Sequence, residues 1–195
     1  QPAQERREER EGGARAGLWK LDDSRLSLRH LAWGPQVAHA PARRWLGIAL
    51  QAEHRDPEAR ATAPVLALFD GHRLHAVPLP EGREPLAGYG GDIGCDGQLF
   101  AVSCPRVNTV TWWQVPDSGQ ASGRWLRGDA MPGVYCVANA SASLDAKGRP
   151  LPAEPALWMG GARLAQLRQR GQVLRTVAVP GMALDNHWIV LERGS

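Results

Sequence analysis

No stretch of this chain reaches the run of about eighteen apolar residues that a membrane-spanning helix needs. No signal sequence stands at Gln1, and the absence of an initiating Met is expected of a mature, processed or recombinant fragment. A G-x-S-x-G elbow, an H-E-x-x-H pair, a P-loop and a C-x-x-C pair are all missing, so hydrolytic, zinc-protease, nucleotide and thiol-redox chemistry lack their usual carriers. There are 3 cysteines, Cys95, Cys104 and Cys136, at no metal-binding spacing. Three buried thiols are expected of them, with a Cys95 to Cys136 bridge as the alternative. With 22 glycines and 15 prolines, little room is left for long helices. Basic clusters are lacking too: 23 Lys and Arg stand against 20 Asp and Glu for a net charge of +3, and they are scattered singly. The one dense charge run, QERREERE at Gln4 to Glu11, is balanced, and reads as a solvated leader rather than a nucleic-acid arm. No nucleic-acid partner and no membrane span are expected.

What is present is the grammar of β-hairpins. Gly88 to Cys104 reads GYGGDIGCDGQLFAVSC and is followed by NTVTWWQV, two apolar runs around Asp96-Gly97 and then a third strand. An Asp-Gly pair supplies the positive φ angles of a tight hairpin turn, so the segment predicts a meander turning at Asp96-Gly97. The pattern recurs at roughly 40 to 60 residues, about the length of one four-stranded propeller blade. The first set comprises Leu26 to Trp33, Trp45 to Gln51, Pro64 to Asp70 and Leu74 to Pro78. The second comprises Gly91 to Cys95, Gln98 to Cys104, Thr109 to Val115 and Gly123 to Arg127. The third comprises Val134 to Asn139, Ala156 to Gly160, Arg163 to Gln169 and Val173 to Val179.

The fold class is therefore all-β and β-propeller-like, with three to four four-stranded antiparallel blades. A charged leader at 1–17 precedes a domain at 18–195, with blades at about 24–80, 84–128 and 132–180 and a closing strand at 182–191. Most of the 8 tryptophans (Trp33, Trp45, Trp112, Trp113, Trp125, Trp158 and Trp188) fall in or beside these strands, where large rings fill the space between sheets.

LDDSRLSLRHLAW at Leu21 to Trp33, LGIALQAEH at Leu46 to His54, APVLALFDG at Ala63 to Gly71, the Gly88 to Gln114 segment and LDNHWIVL at Leu184 to Leu191 together resemble one bacterial family, domain of unknown function 1513. The resemblance implies a YVTN/WD40-like propeller of seven blades. This chain would be its C-terminal half, a sector closed by Asp185-Asn186-His187. It also implies an exported, periplasmic protein associated with iron uptake, with imelysin-like or haem proteins of the same gene cluster as partners. PGVYCVAN at Pro132 to Asn139 departs from the family pattern, which leaves Cys136 without a role carried over.

Two consequences follow from the residues themselves. A sector of a ring exposes flat blade faces and edges, so a protein partner or a second copy is expected to complete it. Histidines are the plausible chemical handles: His30, His39, His54, His72, His75 and His187. Iron(III) and similar transition-metal ions take oxygen and imidazole ligands, and His30, Glu53, His54, Asp185 and His187 are grouped by the expected topology near the inner strands. The bland reading stands beside it: His30 bonds within the core, and Asp185-Asn186-His187 is a turn. The first functional expectation is thus a non-catalytic exported binding or scaffold propeller. The alternative is a metal-dependent or redox enzyme using that His and acid group.

Overall fold

A computed structural model describes residues 18–37, 40–115, 123–140 and 155–179. The expected leader at 1–17 and closing strand at 182–191 lie outside them. The described residues form three four-stranded antiparallel sheets, each in simple sequence order. Sheet I holds β1 (Leu26–Val37), β2 (Ala40–Ala52), β3 (Leu66–Phe69) and β4 (Leu74–Ala76). Sheet II holds β5 (Ile93–Cys95), β6 (Leu99–Cys104), β7 (Thr109–Gln114) and β8 (Arg124–Ala130). Sheet III holds β9 (Cys136–Asn139), β10 (Leu157–Gly160), β11 (Leu164–Gln169) and β12 (Gln172–Ala178). These are the three strand sets read from sequence, shifted by a few residues at their ends. One short helix, α1 (Pro57–Thr62), bridges β2 and β3; the Asp56 carboxylate caps it by accepting from Ala59 N at 2.7 Å. No helix among the described residues is long and apolar enough to cross a membrane.

The β5–β6 turn sits one residue later than the Asp-Gly pair suggests. Cys95 pairs with Phe100, so Gly97 and Gln98 are the central residues, and only Gly97 has positive φ, at 89°. That is the primed-turn pattern with glycine first. Asp96 is not among the positive-φ residues and uses its side chain instead: Oδ1 accepts from Gln98 N at 3.2 Å and Leu99 N at 2.8 Å.

The sheets stack face to face, with β5 packed against both β1 and β9. Alternation decides the faces. In β2, Trp45 and Ala49 point to sheet II, while Ile48 and Leu50 point to the opposite side. Phe100 of β6 is fully buried and enters a slot in sheet I made by two residues without side chains: a Cβ at Gly34 would lie 2.4 Å from the Phe100 ring, and one at Gly47 would lie 2.5 Å away. The contact between sheets II and III repeats the device with β5 as the yielding strand, because a Cβ at Gly94 would lie 2.8 Å from both Leu157 and Val137. Trp45, Trp112 and Trp113 are buried between sheets as expected, whereas Trp33 is exposed.

All three cysteines are buried and none forms a disulfide. Burial pushes the Cys95 and Cys104 thiols up from 9.0 to about 12, because the thiolate has no solvent to stabilise it. A folded-state value above the unfolded one means that the native state holds its protons longer. Stability from these thiols is complete below pH 9.0 and is lost as pH rises through about 12. The folded protein is expected to leave a disulfide reagent unconsumed at about pH 8 and to react on denaturation. Rapid labelling of Cys95 or Cys104 without unfolding would contradict this burial.

Candidate functional site

One end of the stack carries the β2–β3, β4–β5 and β6–β7 connections, which hold His54, Asp92 and Arg106 respectively. His54 follows β2 and is buried; its Nε2 lies 2.7 Å from Asp23 Oδ2, while its Nδ1 has no hydrogen-bond partner. Asp23 is held below the ordinary carboxylate range, first by the Arg25 backbone N–H, which donates to its Oδ1 at 2.9 Å, with partial burial opposing and His54 assisting. Glu53 is exposed, and its backbone N–H donates to Arg25 O at 2.8 Å.

His30 lies further along β1, next to a register shift between Leu28 and Leu31. Its Nδ1 is 3.7 Å from Asp92 Oδ1. Asp92 belongs to a buried clasp joining sheets II and III. Its Oδ1 accepts from Ile93 N and its Oδ2 from Val137 N, both at 2.9 Å. Its own N–H donates to Ser103 Oγ at 2.9 Å, and that hydroxyl donates to Tyr135 O at 2.8 Å. Aspartate, histidine and serine are the residue types of a nucleophilic triad, but the arrangement is not one. The Ser103 proton goes to a main-chain carbonyl, and the hydroxyl is fully buried. The clasp holds the entry to β9 against β5 and β6, which is a folding task.

The expected ligand set is therefore divided. His54 engages Asp23, His30 faces Asp92, Glu53 points to solvent, and Asp185 and His187 lie outside the described residues. Among the described residues no group of three or more His, Cys, Asp or Glu is arranged to hold a metal ion. His72 and His75 do not pair either. The His72 carbonyl accepts from Trp19 Nε1 at 3.0 Å, while His75 is half-buried with both ring nitrogens unpartnered, and burial pushes its pKa down. A neutral imidazole closed off from solvent at a sheet margin is a packing group.

Sequence reasoning expected an open blade face without placing it, and passed over a second surface altogether. The face of sheet I turned away from sheet II is apolar row by row: Trp33, Leu46, Phe69 and Leu74 are cross-strand neighbours, and Leu31, Ile48, Ala67 and Ala76 form the next row. On β1 this face lies open, with Leu28 48%, Leu31 61% and Trp33 59% exposed. Arg43 and Arg44 border the groove of about 370 Å³ beside Trp33 and Phe69. The signal was available as the apolar positions Leu28, Leu31 and Trp33 of LSLRHLAW, but it becomes a surface only where no sheet among the described residues covers that side of β1. The second is a cleft of about 390 Å³ between α1, the β4–β5 connection and the β6–β7 turn, lined by Arg60 and Arg106.

Comparison with curated proteins returns no match. The model of a family described as protein of unknown function (DUF1513) matches residues 8–191, almost the whole length, and the chain belongs to that family.

Proposed function

We propose that this chain is a non-catalytic binding or scaffold component, whose three sheets are consecutive blades of a β-propeller and whose open sheet I face docks a partner protein. The observation that carries this reading is the exposed apolar strip Leu28, Leu31 and Trp33 on β1. The buried sheet I–sheet II and sheet II–sheet III contacts show what such a face does when covered. A contiguous exposed patch of this kind marks an interaction surface. The partner is a different chain, with an apolar sheet face edged by carboxylates. Arg43 and Arg44 border the strip, and exposed Arg175 stands in the outer row of sheet III beside Leu167 and Trp158. Docking a second copy, face to face or head to tail, would bring like charges together. The expected setting is the periplasm and bacterial iron uptake, with imelysin-like or haem proteins as the first partners to try.

Purified partners of those two kinds are expected to bind at micromolar concentration in calorimetry. Trp33→Glu and Leu31→Glu are expected to weaken binding by about thirtyfold or more, in the range of a lost hot spot of about 2 kcal/mol, without lowering the melting temperature. Light scattering of the isolated chain is expected to give a monomer. A stable dimer abolished by Leu31→Glu would replace this reading with self-association, and failure of both partner classes to bind would remove the scaffold role.

A further inference from the structure

The cleft between α1 and the β4–β5 connection has a different character from the open face. Its walls are Pro57, Arg60, Ala61, Ala87 and Arg106, two guanidinium groups among small apolar side chains with no carboxylate among the described lining residues. Of the acids nearest in sequence, Asp56 is occupied in capping α1, and Glu58, exposed in the first turn of α1, is not among the lining residues. Arg106 is held in place: its Nη1 donates to Ala87 O at 3.2 Å, and its guanidinium lies 4.6 Å from the Tyr89 ring centroid. One of its five N–H donors is used there, so the rest of the planar fork remains available.

The backbone carrying that carbonyl is unusual. Ala87 adopts φ 55°, a left-handed conformation uncommon for a residue with a side chain, and Gly88 follows at φ 54°. The loop is pressed onto α1, since a Cβ at Gly88 would lie 2.2 Å from Arg60 O, and Gly88 O accepts from Ala52 N at 2.8 Å. Strain of this kind persists where the surroundings over-determine it and clusters at binding sites. Here it sets the Ala87 carbonyl against Arg106 and keeps α1, with Arg60, close by.

We propose that this cleft binds a small organic carboxylate, the two arginines taking the carboxylate groups and Pro57, Ala61 and Ala87 facing the carbon skeleton. A fixed guanidinium fork matches a carboxylate with two parallel hydrogen bonds, which a lysine at the same place would not reproduce. The site is independent of the partner-docking face and stands or falls separately from it.

Titration calorimetry on the full chain, with succinate as the probe and inorganic phosphate as the competing oxyanion, tests the proposal. Succinate is expected to bind saturably with a dissociation constant of about 1 mM or tighter, and more tightly than phosphate. Arg60→Met and Arg106→Lys are each expected to weaken it by about tenfold, with circular dichroism melts unchanged for Arg60→Met. Arg60 is an exposed residue of α1, so its variant keeps the test informative even if replacement of Arg106 disturbs the fold. Absence of saturable binding, equal affinity for phosphate, or binding unaffected by Arg60→Met would each overturn the assignment.

Discussion

Phe100→Ala is expected to destabilise the chain by about 3–5 kcal/mol in chemical denaturation, a large share of the total stability typical of a domain. The ring is fully buried and belongs to the core cluster that includes Trp45, Ile93, Val102 and Trp113, so its removal takes apolar surface from both sheet I and sheet II. The space left cannot collapse easily, because Gly34 and Gly47 have no side chains to move into it; Gly47 is paired with Ala32, and the Gly34 carbonyl accepts from Arg44 Nε at 2.9 Å. A reciprocal variant isolates this geometry. Gly47→Ala places a methyl group 2.5 Å from Phe100 and is expected to cost about 1–3 kcal/mol by overpacking, yet in the Phe100→Ala background the same methyl group fills part of the vacancy. The cycle is expected to show a coupling of about 1 kcal/mol or more, with the double variant more stable than additivity predicts. Additive losses would mean that Phe100 does not sit in the glycine slot.

The strand sets were legible because they are written locally. Alternation in TVTW and short apolar runs such as LALF, with turn residues between, mark the strands locally, and sheets I to III follow the sequence order without crossing. What could not be read locally is what each face meets. Trp33 has the same alternation as buried Trp112, and is exposed only because no sheet covers that side of β1 among the described residues. The GYGGD segment reads as strand entry. Its Asp92 ties β5 to Val137, which is 45 positions away. His30 lies on β1 and His54 just beyond the end of β2, the neighbouring strands that topology suggested, but the register shift in β1 and the Asp23 side chain give each a separate partner. Arg60 and Arg106 are brought to one cleft by a six-residue helix and a left-handed loop, neither of which has an amphipathic period to announce it.

Asp129→Ala is expected to produce the other large loss, about 3–5 kcal/mol, because it leaves a buried guanidinium without its counter-charge. Arg168 of β11 is only 5% exposed and donates through Nη1 to Asp129 of β8, across the contact between sheets II and III. Asp129 also accepts from Trp112 Nε1 at 2.9 Å and from Arg127 Nε at 3.0 Å, and both guanidinium groups lie within 6.0 Å of the Trp112 ring centroid. One carboxylate therefore orders two cations and an indole, while Arg127 reaches on to Gly171 O at 2.6 Å in the β11–β12 turn. Removing the carboxylate strands Arg168 with only Gln166 Oε1, which accepts from its Nε and Nη2 at 2.9 and 2.7 Å and carries no charge. The penalty belongs to the uncompensated charge rather than to lost contact area, and the remedy distinguishes the two. Asp129→Ala combined with Arg168→Met keeps most of the side-chain volume at 168 and removes the charge, so the double variant is expected to recover at least half of the lost stability. If it is no more stable than Asp129→Ala alone, the network's contribution is packing around Trp112, and the ion pair adds nothing to the adhesion of sheets II and III.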